Sequence, residues 1–166
     1  MFAPSARHFH DEDAAQLFFE KCLWTSGPIC PHCGGATRIN LMKGNSTRNG
    51  TYKCYMCRKP FTVKVGTIFE NSRVPMHTWL RAIYLITSGA ADSSNQLHSL
   101  LGVTRKTVSL MALRIHQALH ASSSALRSSG IDEVEAGRLN SRTADDAFDD
   151  AILKIVKLYQ RWMSGQ

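Results

Sequence analysis

Four cysteines in two tight pairs, Cys30-x2-Cys33 and Cys54-x2-Cys57, are the residues of this chain best suited to chemistry. Twenty residues, Gly34 to Lys53, separate the pairs. Zinc favours four soft ligands in a tetrahedron, and each CxxC turn offers two sulfurs from one side, so the spacing is that of a zinc ribbon. Gly34 and Gly35 follow the first pair, where backbone without a Cβ curls tightly and aims amides at sulfur. Pro60 ends the second knuckle, Cys54-Tyr55-Met56-Cys57-Arg58-Lys59-Pro60. Two disulfides or a redox CxxC are the alternative uses of these residues, and the lack of a signal peptide weighs against them. The expected cofactor is one structural Zn2+ on Cys30, Cys33, Cys54 and Cys57. Cys22 is the odd cysteine and reads as a buried small hydrophobe.

A second constellation lies further along. Ser93 is placed to cap a short helix, Ser94–Leu101, and Gly102-Val103 makes a tight turn. Thr104 then caps a longer helix from Arg105 to about His120, with Val108, Met111, Ala112, Ile115 and Leu119 on one face. Helix, glycine turn and capped helix form a helix-turn-helix pattern. In that motif the start of the second helix meets base edges, which makes Arg105, Lys106, Thr107 and Ser109 the candidate DNA-reading residues. An ordinary helical hairpin with a solvated cationic end is the alternative.

The elements that position these groups follow from punctuation and periodicity. Asp11-Glu12-Asp13 opens a short helix running to Trp24. Thr37–Met42, Thr51–Cys54 and Phe61–Val65 read as strands of a small ribbon. Such a ribbon buries little, so metal binding should supply much of its folding free energy. Pro75 starts a helix over 76–88, and the serines at 122–124 and 128–129 mark a linker. Asp145–Met163 is an amphipathic helix with Phe148, Ala151, Ile152, Ile155, Tyr159 and Trp162 on one face. That helix either folds back on the core or pairs with another subunit, dimerisation or partner docking being the preferred role. The expected class is α+β, with an N-terminal helix and three-stranded zinc ribbon (10–74) and an all-α helix-turn-helix domain (75–121). A linker (122–144) and an amphipathic helix (145–163) follow.

Charge supports this reading. The chain of 166 residues is +7 overall, yet residues 21–120 carry thirteen Lys/Arg against only Glu70 and Asp92. Residues 1–20 are net −3 and residues 121–166 net −1. A local cationic excess is the footprint of nucleic acid binding, though a tetrathiolate zinc centre also takes up nearby positive charge. Arg38, Lys43 and Arg48 on the ribbon hairpin, and Lys64 after it, are candidate phosphate contacts, which position a protein without reading sequence. No apolar run approaches the ~20 residues of a membrane span, so the expected location is the cytoplasm, on the nucleoid.

Several linked motifs resemble the zinc-ribbon transposases of bacterial insertion sequences. They are Cys30-Pro31-His32-Cys33-Gly34, Tyr52-Lys53-Cys54-Tyr55-Met56-Cys57-Arg58, Phe61-Thr62-Val63, Gly66–Arg73, Trp79–Leu85, and Gln96-Leu97 through Leu100–Thr107. The resemblance spans about residues 10–120. It implies that ribbon and helix-turn-helix together bind double-stranded DNA. Ser109 stands near a position where that family usually has tryptophan. Ile131–Gly137 resembles the opening strand of the family's ribonuclease-H-like nuclease domain, with Asp132 at the first catalytic carboxylate. Only 34 residues follow Asp132, and a two-metal site needs further carboxylates from distant strands.

The expectation is therefore a non-catalytic, zinc-dependent, sequence-specific DNA-binding protein derived from a transposase and acting as a transcriptional regulator. The alternatives are a protein that inhibits or assists a full-length transposase or RNA polymerase, a truncated remnant, or an enzyme completed in trans. His116 and His120, four apart on a helix, lack an evident third ligand and read as a helix-end cation or as packed histidines. His8 and His10 read as surface residues near the terminus.

Overall fold

The structure, a computed structural model, describes residues 5–44, 47–91, 93–127 and 143–165, the side chains of 122–127 excepted. After a single 3-10 turn, Arg7–Phe9, Asp11 holds an extended conformation and its carboxylate accepts the Ala14 amide at 2.7 Å. That cap starts α1 (Glu12–Leu23), whose first turn carries Glu12 and Asp13 where the helix dipole favours negative charge. Ala15, Phe19 and Leu23 recur every four residues and form its buried face.

The sheet is antiparallel in the order β1 (Ile39–Leu41), β2 (Tyr52–Cys54), β3 (Pro60–Phe61). Ile39 lies opposite Cys54, Leu41 opposite Tyr52, and Tyr52 opposite Phe61. The third strand differs from expectation. Pairing stops at Phe61, and the chain then turns, with the Val65 amide donating to the Thr62 carbonyl and the Thr67 amide to that of Lys64. Phe61 and Val63 are both buried, so the apolar alternation through 61–65 reflects a winding loop that drops side chains into the core.

Eight of the twelve residues of α2 (Met76–Thr87) are buried, which makes it the central helix. α3 (Ser94–Leu101) is capped by the Ser93 hydroxyl, which accepts the Gln96 amide. It ends at Gly102, whose φ of +67° suits a residue without a Cβ. α4 runs Arg105–Arg127, past the expected linker start at 122. Ser122-Ser123-Ser124 sits inside that helix, since serine is only mildly unfavourable there and no Gly or Pro intervenes before Gly130. Residues 128–142, including Asp132, lie outside the described residues. α5 (Ala144–Ser164) starts at a capping box between Thr143 and Asp146.

One continuous apolar core runs from Phe9 to Tyr159 and crosses position 75 without a break. Phe19, Phe69 and Trp79 stack edge to face in it, with ring centroids 4.8 and 5.2 Å apart. The expected docking face of α5 is used within the chain. Phe148, Ala151, Ile152, Ile155, Val156 and Tyr159 are buried, and α5 packs on α1, α2 and α4. Phe148 stands 5.2 Å from Phe9 and 5.9 Å from Tyr84. An amphipathic face next to an unfilled helical core is satisfied most readily by that core. Ile155→Ala should therefore lower unfolding free energy by about 2–5 kcal/mol in urea denaturation. An unchanged midpoint would show that α5 is not part of the fold.

Candidate zinc centre and nucleic-acid interface

The four paired cysteines converge although 26 residues separate the first from the last. Their sulfurs all lie within 4.8 Å of one another. Cys30 Sγ is 3.6 Å from Cys57 Sγ, and Cys33 Sγ is 3.7 Å from Cys54 Sγ. A disulfide requires about 2.0 Å, and all five cysteines are free thiols. Four sulfurs at about 2.3 Å from a tetrahedral zinc stand about 3.8 Å apart, which these separations match. The donor set and its spacing fit one structural Zn2+, and the four cysteines form a zinc-ribbon site.

Backbone hydrogen bonds shape both knuckles. The Cys30 amide donates to the Gly35 carbonyl and the Gly34 amide to that of Cys30, both at 2.9 Å. In the second knuckle the Cys54 amide donates to the Lys59 carbonyl at 3.1 Å. Gly34 and Arg58 occupy the same place, one residue after the second cysteine, and both are left-handed, with φ of +69° and +61°. Arg58 therefore holds a conformation that the first knuckle assigns to glycine. Burial pushes the Cys30 thiol up to about 12, while the amides of Cys57 and Met56 pull Cys54 down to about 7. A divalent cation favours the thiolate at every ligand and would override the burial of Cys30. Cys22 is half-buried and stands apart from the cluster, and burial raises its pKa.

The ribbon is locked to α1. Trp24 meets the Tyr52 ring at 5.3 Å and the Phe61 ring at 6.0 Å. The Tyr52 hydroxyl donates to Glu20 at 2.9 Å, and burial together with that carboxylate pushes Tyr52 up to about 12.

Arg105, Lys106 and Ser109 are exposed at the start of α4. Thr107 is half-buried, its hydroxyl 2.8 Å from that of Thr104, which also accepts the Thr107 amide. Ser109 donates its hydroxyl to the Arg105 carbonyl. On the ribbon Arg38, Lys43 and Arg48 are exposed. Lys64 is not presented in this way. Its ammonium donates to the Val74 carbonyl at 3.1 Å, and burial holds its pKa below the usual lysine value. A lysine in an alternating stretch looks solvent-facing from sequence, but the turning loop draws it inward. His116 and His120 are both exposed, and the cysteine set is the one metal-ligand cluster among the described residues. His8 stacks on Phe18 at 4.2 Å rather than standing clear on the surface.

Three cross-ties escaped the sequence reading. Arg114 donates to the Ile68 and Glu70 carbonyls at 3.1 and 2.9 Å, fastening α4 to the loop after the ribbon. Arg81 donates to the Leu100 carbonyl at 2.8 Å, fixing the end of α3 on α2. The Glu12 carboxylate lies 3.0 Å from His77 Nδ1 and also accepts the His77 amide, joining α1 to α2. Each partner pair is distant in sequence, and the backbone acceptors of Arg81 and Arg114 leave no sequence signal.

Residues 10–60 match the family described as the transposase zinc-ribbon domain. A relative in Halobacterium salinarum, described as an uncharacterized protein in transposable element ISH50, is 31% identical over 113 residues. That alignment covers 68% of this chain and 37% of the relative, so the chain spans little more than a third of that protein. No solved structure matches the chain. No helix among the described residues is long and apolar enough to cross a membrane.

Cys54→Ser removes one thiolate from the set and leaves the ribbon without its closure. Metal analysis should show zinc falling from about one per chain to a small fraction, with the amides of β2 exchanging freely with solvent. Full zinc retention would exclude Cys54 as a ligand.

Proposed function

We propose that this chain is a zinc-dependent, sequence-specific binder of double-stranded DNA that acts by occupying its site without cutting it. The observation that carries this reading is the pairing of α3, the Gly102 turn and a capped α4 whose first turns present Arg105, Lys106 and Ser109 to solvent. Arg81 and Arg114 tie both helices to the body of the protein, so those side chains are offered on a rigid element. Arginine and lysine at the start of such a helix pair with guanine in the major groove. Arg38, Lys43 and Arg48, on the ribbon, supply phosphate contacts that orient the protein. The ribbon's match to a transposase domain supports DNA as the partner.

Occupancy of a defined duplex at a promoter is transcriptional regulation, and that is the role proposed. A second reading, binding the ends of a transposable element, is favoured by the source of the Halobacterium relative. Genome-wide occupancy by chromatin immunoprecipitation separates the two, because the first places peaks at promoters and the second at element ends. The same purified chain should leave duplex DNA uncut in magnesium or manganese.

Arg105→Ala should leave folding intact and cost about 1–3 kcal/mol of affinity for a site selected from random duplexes, relaxing the preference at one base pair. Alanine at Arg38, Lys43 or Arg48 should weaken every duplex alike and lower the salt slope by about 1 each. If Arg105→Ala binds selected and random duplexes as wild type does, α4 is not the reading element.

A further inference from the structure

Two large apolar side chains share the outer face of α4 with its cations. Lys106, Ser109, Leu110 and Leu113 stand at i, i+3, i+4 and i+7, which places them on one side of a helix. Val108, Met111, Ile115 and Ala118 form the opposite, buried side. Leu110 and Leu113 are 54% and 52% exposed. A single exposed leucine needs no explanation. Two of them one turn apart, continuing the row begun by Lys106, form a surface with an apolar centre and a cationic end.

The charge of the helical pair selects the occupant. Residues 93–127 contain Arg105, Lys106, Arg114 and Arg127 and no acidic side chain. A second copy of the chain would bring its own Arg105 and Lys106 to this end of the helix and no carboxylate from these helices to meet them. Duplex DNA brings phosphates, and its major groove also carries an apolar group, the C5-methyl of thymine. Lys106 and Leu113 are about 10 Å apart along the axis, at 1.5 Å per residue. A major groove about 12 Å wide admits an α-helix, and a row of that length can follow it.

We propose that Leu110 and Leu113 are specificity-determining residues that close on thymine methyl groups, so the bound site carries thymines beside the base pairs met by Arg105 and Lys106. The assignment rests on the DNA-reading function proposed above and deepens it. It gives α4 two kinds of readout, hydrogen bonding from its first turn and apolar contact from its second and third.

Uracil differs from thymine only by this methyl, which makes the test specific. The zinc-loaded full chain is used to select a site from random duplexes, and each thymine of that site is then replaced singly by uracil. At one or two positions the wild-type protein should lose about fourfold in affinity, the worth of one buried methyl group. Leu110→Ala or Leu113→Ala should bind thymine and uracil alike at one of those positions and keep wild-type helix content, both residues being exposed. Uracil tolerated at every position, or unchanged methyl dependence in both variants, overturns the proposal while leaving DNA reading intact. A change of oligomeric state in the leucine variants with unchanged base preference overturns it in favour of a second copy. Failure to select any site overturns the proposal together with the DNA-reading function beneath it.

Discussion

Convergence of four sulfurs on one point is the constraint from which the N-terminal half is built. The sheet contains three strands of three, three and two residues, too few to hold their own register. Cys54 is the last residue of β2, so a cation that fixes its sulfur also fixes where Tyr52 falls. Tyr52 in turn meets Trp24 and Glu20 on the helical side. The metal site thus sets the face by which the ribbon docks on α1. Removing the metal loosens that dock as well as the hairpin.

The helical half depends on packing instead, and the loop between ribbon and α2 is where the two kinds of stabilisation join. Lys64 ties the start of that loop to Val74, and Arg114 holds its middle against α4. The end of α5 presses on it too. Gly66 has a φ of +74°, and a Cβ there would stand 2.4 Å from the Trp162 ring. Any side chain at position 66 would force the Trp162 ring to shift. A DNA-binding surface divided between ribbon and α4 requires a fixed relation between them. On the proposed reading these cross-ties supply it.

What was legible in the sequence was local. The CxxC pairs, the Ser93 and Thr104 caps, Gly102 and the acidic start of α1 each act within a turn of themselves, and each was placed from sequence alone. The mixed class and the three-stranded zinc ribbon followed from them. What was not legible depends on contacts between distant segments. Lys64 alternates with valines as a strand residue would, but the fold turns its loop and buries the lysine stem. The apolar stripe of α5 is the same whether it faces a partner or its own core, and only the unfilled flank of α2 and α4 decides. Serines 122–124 have turn-forming composition yet extend a helix that nothing interrupts. Leu110 and Leu113 are apolar like the buried row of α4, and only the packing of Val108, Met111 and Ile115 against the core leaves them on the outside.

The most direct measurement of the central claim is methylation interference on a duplex site selected by the zinc-loaded protein. Dimethyl sulfate marks guanine N7 in the major groove and adenine N3 in the minor groove, so one experiment reports both. If the outer face of α4 reads bases, N7-methylguanine inside the site excludes the protein and N3-methyladenine at its centre does not. Interference confined to adenine N3, or none in either groove, would contradict the account and leave α4 as an ordinary surface helix.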